Sequence, residues 1–249
     1  MIWLAPYKTV LAARELRVLF AASIIGRLPI GMSGLASLLL VQGASDAFAT
    51  GGTASGSYVA GLACVAPVIG RIIDRSGPRA VLATCALLFP AALAALLATV
   101  AAKASAAAVL TSAALAGASF PPITVCMRTY LRQRIVDEAS LATAYALDSV
   151  LIETMFIVGP LLVALFVGLA SARAAVWFAA ACAVVGVFLF LSSTALREWR
   201  IEARTHATLL GPLARRRFVA LIVIVLCYAI AFGLTELGCG PRMPAFFWA

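Results

Sequence analysis

The chain has 249 residues, of which 64% are hydrophobic and only 12% charged, and its formal net charge is +9. Soluble domains devote about 25% of their residues to charge, so this composition cannot cover a water-facing surface, and lipid must be the solvent for much of the chain. The positive charge does not point to nucleic acid, because the bases cluster between apolar runs instead of forming a patch interleaved with polar and aromatic residues.

In chain order, apolar runs lie at about 18–41, 55–73, 80–102, 104–127, 143–168, 174–196 and 217–238. Each is close to the ~20 residues that carry a helix across a ~30 Å hydrocarbon core. Backbone groups in lipid must bond within their own segment, and the alternating ten-residue strands of a barrel are absent, so helices are expected. The first run follows Lys8, Arg14 and Arg17 as a signal peptide would, but exceeds the 7–15 residues of a signal core and is read as a retained span. Pro29, Pro67, Pro90, Pro121, Pro122 and Pro160 fall inside runs, where membrane helices tolerate them.

The expected fold class is an all-α membrane bundle of about seven spans. With the N-terminus in the cytoplasm, every Lys and Arg except Arg27, Lys103, Arg173 and Arg242 falls in an inner segment. That alternation is the positive-inside pattern. The domain reading is a six-helix bundle over 1–196, a basic cytoplasmic linker over 197–216, and a seventh span with a short irregular tail over 217–249. A lone span after a long linker suggests a truncated two-bundle protein. Span seven has no lysine for a retinal Schiff base, which argues against a rhodopsin.

Six cysteines are dispersed and His206 is the single histidine. Metal sites and disulfide frameworks need clustered ligands, so no metal and no cofactor is expected. No nucleophile–base set or phosphate loop appears, which argues against an enzyme.

Between runs two and three stands GRIIDRSGPR, Gly70 to Arg79. Gly70 is expected to close span two, Gly77 and Pro78 to make the turn, and Arg71, Arg75 and Arg79 to hold it in the cytoplasm. Topology does not need Asp74. Gly70, Asp74, Arg75, Gly77 and Arg79 match the Gly-x-x-x-Asp-Arg-x-Gly-Arg-Arg/Lys signature, and here the sequence resembles the major facilitator superfamily. Pro78 replaces the first base of the closing pair. RLPIGM from Arg27, AGASFPP from Ala116 and FIVGP ending at Gly159 and Pro160 are similar to further family elements, the last to a helix-bend motif of antiporters. The arginine-plus-glycine pattern of proton-coupled members is missing from span four. The resemblance implies a secondary transporter in which two six-helix bundles rock about a central site, with the loop acid acting as half of a conformational latch. It covers the first half of that fold.

Charge inside the membrane is costly and marks function. Arg27 lies deep in run one, on a face with Ser23, Gly31, Gly34 and Ser37. In run five Asp148 is read as interfacial, and Glu153 as deeper, on a face with Tyr145 and Ser149. The expectation is an Arg27–Glu153 ion pair at the base of a substrate cavity. Gly52, Gly56, Ala60 and Cys64, four residues apart, suggest a packing stripe.

The functional expectation is alternating-access transport of an unidentified small solute, leaning to efflux of an amphiphile. The protein would be multi-pass, in a membrane of the bacterial inner type, with the lipid bilayer as surroundings and a missing second half or a homodimeric copy as partner. The alternative is a truncated, non-transporting membrane fragment or interaction protein.

Overall fold

The computed structural model describes residues 14–45, 47–193, 219–227 and 231. Two compact units divide the chain, Met1–Glu202 and Ala203–Ala249. In the second, residues 219–227 are helical. The linker expected over 197–216 lies outside the described residues, as does most of the seventh span and the whole irregular tail.

The first unit is a bundle of helices. They are α1 (Arg14–Ser45), α2 (Phe48–Ser76), α3 (Pro78–Ala101), α4 (Ala106–Ala118), α5 (Ile123–Arg134), α6 (Glu138–Leu169) and α7 (Ala172–Ser192). Among the described residues, six segments are long and apolar enough to cross a membrane, with α4 and α5 counted together as one. These six correspond to the first six runs of the sequence.

The fourth span is broken, where a single helix was expected. Pro121 and Pro122 remove two backbone donors, and proline disfavours helix in the residue before it. α4 therefore stops at Ala118, and α5 starts after Pro122. Irregular backbone survives at membrane depth only where protein covers it or it lines a water-filled cavity. Ser119, Phe120 and Pro121 are buried, and Phe120 meets the Phe89 ring edge-on at 5.4 Å.

α2 does not end at Gly70 but runs on to Ser76, so Arg71, Asp74 and Arg75 are helical. Gly77 alone joins α2 to α3. Its φ of 81° and ψ of 167° lie where only glycine is unstrained, and Pro78 occupies the first position of α3.

α1 is the central helix. Where it crosses α7, a Cβ added at Gly186 would sit 2.1 Å from the Gly26 Cα. Where it crosses α6, a Cβ at Gly159 would sit 2.5 Å from the Gly31 carbonyl carbon. Backbones this close need residues without side chains. Pro160, beside the second crossing, lies within a continuous α6. The stripe expected on α2 does not pack: Gly52 and Gly56 have open space where a Cβ would be, and Ala60 and Cys64 are exposed. α2 packs instead through Gly61 against Ala114 and through Tyr58 against Gly117, both on α4.

Apolar side chains collect in two clusters. One holds Met32, Phe89, Leu96, Val163 and Ala179, and the other Leu19, Phe20, Leu82, Met127 and Phe190. Arg27 falls between them along α1. α2 and α6 are the spans least covered by the rest of the bundle.

Candidate functional site

The α1 helix carries Arg27 into the bundle interior, where it is 2% exposed. Its Nη1 donates to Oδ1 of Asp148, which is fully buried on α6. Asp148 spends its other oxygen on α5: Arg128 Nε donates to Oδ2 at 2.9 Å. Arg128 also reaches Ser149 Oγ with Nη2 at 3.4 Å, and the Tyr145 hydroxyl donates to the Arg128 carbonyl at 3.3 Å. Positions 145, 148 and 149 share a helix face because i, i+3 and i+4 are neighbours.

The ion pair expected between Arg27 and Glu153 is thus made with Asp148. The reason is the start of α6. Counted from Thr143, Glu153 would lie ~15 Å along the helix; the helix begins at Glu138, so Asp148 occupies that depth. Five residues turn a helix by about 140°, and Glu153 accordingly stands on an exposed face with Ala146 and Ser149. Asp148 is therefore not interfacial. Arg128, expected in a cytoplasmic loop, is in the middle of α5, since the helix continues beyond the apolar run to Arg134.

Sequence reasoning missed Arg128 and undervalued Asp148. The available signal was the pair of acids at 148 and 153 on one helix, of which only one can face the bundle. At the helix ends, Arg134 of α5 approaches Glu15 of α1 at 3.7 Å, with both side chains substantially exposed.

The centre is electrostatically lopsided. One carboxylate serves two guanidinium groups, and Arg27 Nε and Nη2 are buried with no hydrogen-bond partner among the described residues. Buried donors left unpaired are destabilising. Arg128 differs in being 48% exposed. A half-exposed arginine on α5, with an exposed serine and an exposed glutamate on the largely apolar α6, makes a polar strip.

The other predicted elements stand apart in sequence. Gly70 has open space around it, and Asp74, Arg75 and Arg79 are exposed around the Gly77 turn. Among the described residues, no three His, Cys, Asp or Glu side chains gather as a metal site would require.

A family model described as Major Facilitator Superfamily matches residues 19–248 of the chain. Comparison with curated proteins and with solved structures gave no match.

Proposed function

The chain belongs to the Major Facilitator Superfamily, and from that premise we propose that its six-helix unit lines the solute path of a secondary transporter working by alternating access. The observation that carries this reading is the exposed polar strip of Arg128, Ser149 and Glu153. Charged groups within spans face a water-filled cavity or pair with one another, and lipid contact would be costly for both Arg128 and Glu153. A cavity between this bundle and a second one, from elsewhere in the same protein or from a second copy, accommodates them. The thin cover of α2 and α6 supports a partner on that side. Asp74, exposed in the last turn of α2, is the acid that the family resemblance assigns to a latch between bundles. The apolar character of the spans favours efflux of an amphiphilic solute.

The experiment is cysteine labelling by a membrane-impermeant maleimide, in a background with the native cysteines replaced. Ser149→Cys is expected to react, and Leu87→Cys, 74% exposed on α3, to stay unreacted in lipid. A Ser149→Cys protein as unreactive as Leu87→Cys, in intact cells and in inverted vesicles alike, would remove the cavity.

A further inference from the structure

The cluster around Asp148 holds more positive charge than its own carboxylate can balance. Arg27 and Arg128 take one oxygen each. Arg27 is sealed in with two unpaired donors, so its charge is fixed in the interior. Of the two arginines bonded to Asp148, Arg128 is the one that a group from outside the chain can reach: its half-exposed guanidinium commits Nε to Asp148 and Nη2 to Ser149.

Resting on the transporter reading above, we infer that the solute is an organic monoanion whose acid group binds Arg128 and Ser149. A planar acid group matches the donor fork of a guanidinium. Val125, one turn from Arg128 on the same exposed face of α5, offers apolar contact to the body of the ligand. Glu153 stands one turn beyond Ser149, ~6 Å along α6, and repels a second negative group placed along that helix. Arg27 and Asp148 are positioning residues: Arg27 draws on the same carboxylate and keeps Asp148 from neutralising Arg128 completely.

The test measures binding, independently of transport. The full chain is placed in nanodiscs of phosphatidylcholine, and its melting temperature is followed with benzoate, benzyl alcohol or benzyltrimethylammonium. Benzoate is expected to raise the melting temperature while the other two leave it unchanged. Arg128→Gln should weaken benzoate at least about tenfold, as expected for loss of a charge-assisted hydrogen bond. Arg128→Lys should retain part of the binding, and Arg132→Gln, one turn away on α5, all of it. Should Arg128→Gln not fold, Ser149→Ala, which keeps both Asp148 pairs, is expected to weaken benzoate about threefold.

Unchanged benzoate binding in Arg128→Gln, or in Ser149→Ala where that variant stands in, overturns the assignment. So does stabilisation by the ammonium probe or the alcohol in place of benzoate. Stabilisation by added phosphatidylglycerol without any response to benzoate would give the site to a lipid headgroup and equally overturn it. If no probe binds while Ser149→Cys is still labelled from water, the anion class falls and the cavity stands; if Ser149→Cys is shielded, the transporter reading falls as well.

Discussion

Arg27 of α1 and Asp148 of α6, 121 residues apart in sequence, form a buried ion pair in the interior of the bundle. The pair ties the central helix to one of the two least covered helices, and through the second oxygen of Asp148 it also holds Arg128 of α5. Three helices are thereby keyed to one carboxylate.

Removing one partner of a buried pair leaves a stranded charge, at a cost of about 3–5 kcal/mol. Arg27→Ala and Asp148→Ala should each lower the thermal stability of the detergent-solubilised protein by that order, and the double variant should lose less than their sum. Asp148→Ala should be the worse single change, since it strands the buried Arg27 and also removes the carboxylate that holds half-exposed Arg128. Glu153→Ala, on an exposed face, should change stability by no more than about 0.5 kcal/mol. Strictly additive losses for Arg27 and Asp148 would mean that the pair contributes no coupling.

The glycine contacts divide into two classes. Gly186→Ala and Gly159→Ala put a Cβ against backbone that cannot step aside, and overpacking of this kind costs about 1–3 kcal/mol. Gly52→Ala and Gly56→Ala meet nothing within 4 Å and should stabilise α2 by about 0.5–1 kcal/mol through helix propensity. Parallel melting curves of the four variants would check the ranking. Equal effects at Gly186 and Gly52 would contradict the packing.

Orientation is proposed from charge. With the N-terminus in the cytoplasm, the Gly77 turn is cytoplasmic and the end of α1 is external. Ser76→Cys should then be labelled in inverted vesicles only, and Ser45→Cys in intact cells only. Labelling of both from one side would contradict the map.

At the start of α6, Asp137 Oδ2 accepts the Ser140 amide N–H at 2.8 Å. The Ser140 side chain first, and then that backbone bond, hold the Asp137 carboxyl below its ordinary value of 3.8. A carboxylate whose folded pKa is depressed adds stability above its unfolded pKa and loses it as pH falls through the folded pKa. The start of α6 should therefore loosen only below about pH 4. Asp137→Asn keeps a capping oxygen and should remove this acid dependence, as followed by hydrogen exchange at the amide of Ser140.

The sequence by itself determined the six spans, the helical class and the turn at Gly77–Pro78. Hydrophobic length and the demands of proline and glycine act locally, within one segment and its solvent. It also marked Arg27 as a buried charge, because an arginine so deep in an apolar run has no nearby water. Only the tertiary structure decided which acid answers it. Moving the start of α6 from Thr143 to Glu138 shifts each residue by five positions, about 140° of rotation and ~7.5 Å of height, enough to exchange Glu153 for Asp148. Arg128 was hidden for a related reason: the apolar run ends near 127, but hydrogen bonding carries α5 on to Arg134. Small residues four apart occur on α2 in a stripe that packs nothing, while the tight crossings of α1 use single glycines at 26 and 31. Spacing along one helix reports which residues share a face; which face is covered depends on the shape of the neighbouring helix, which comes from elsewhere in the chain.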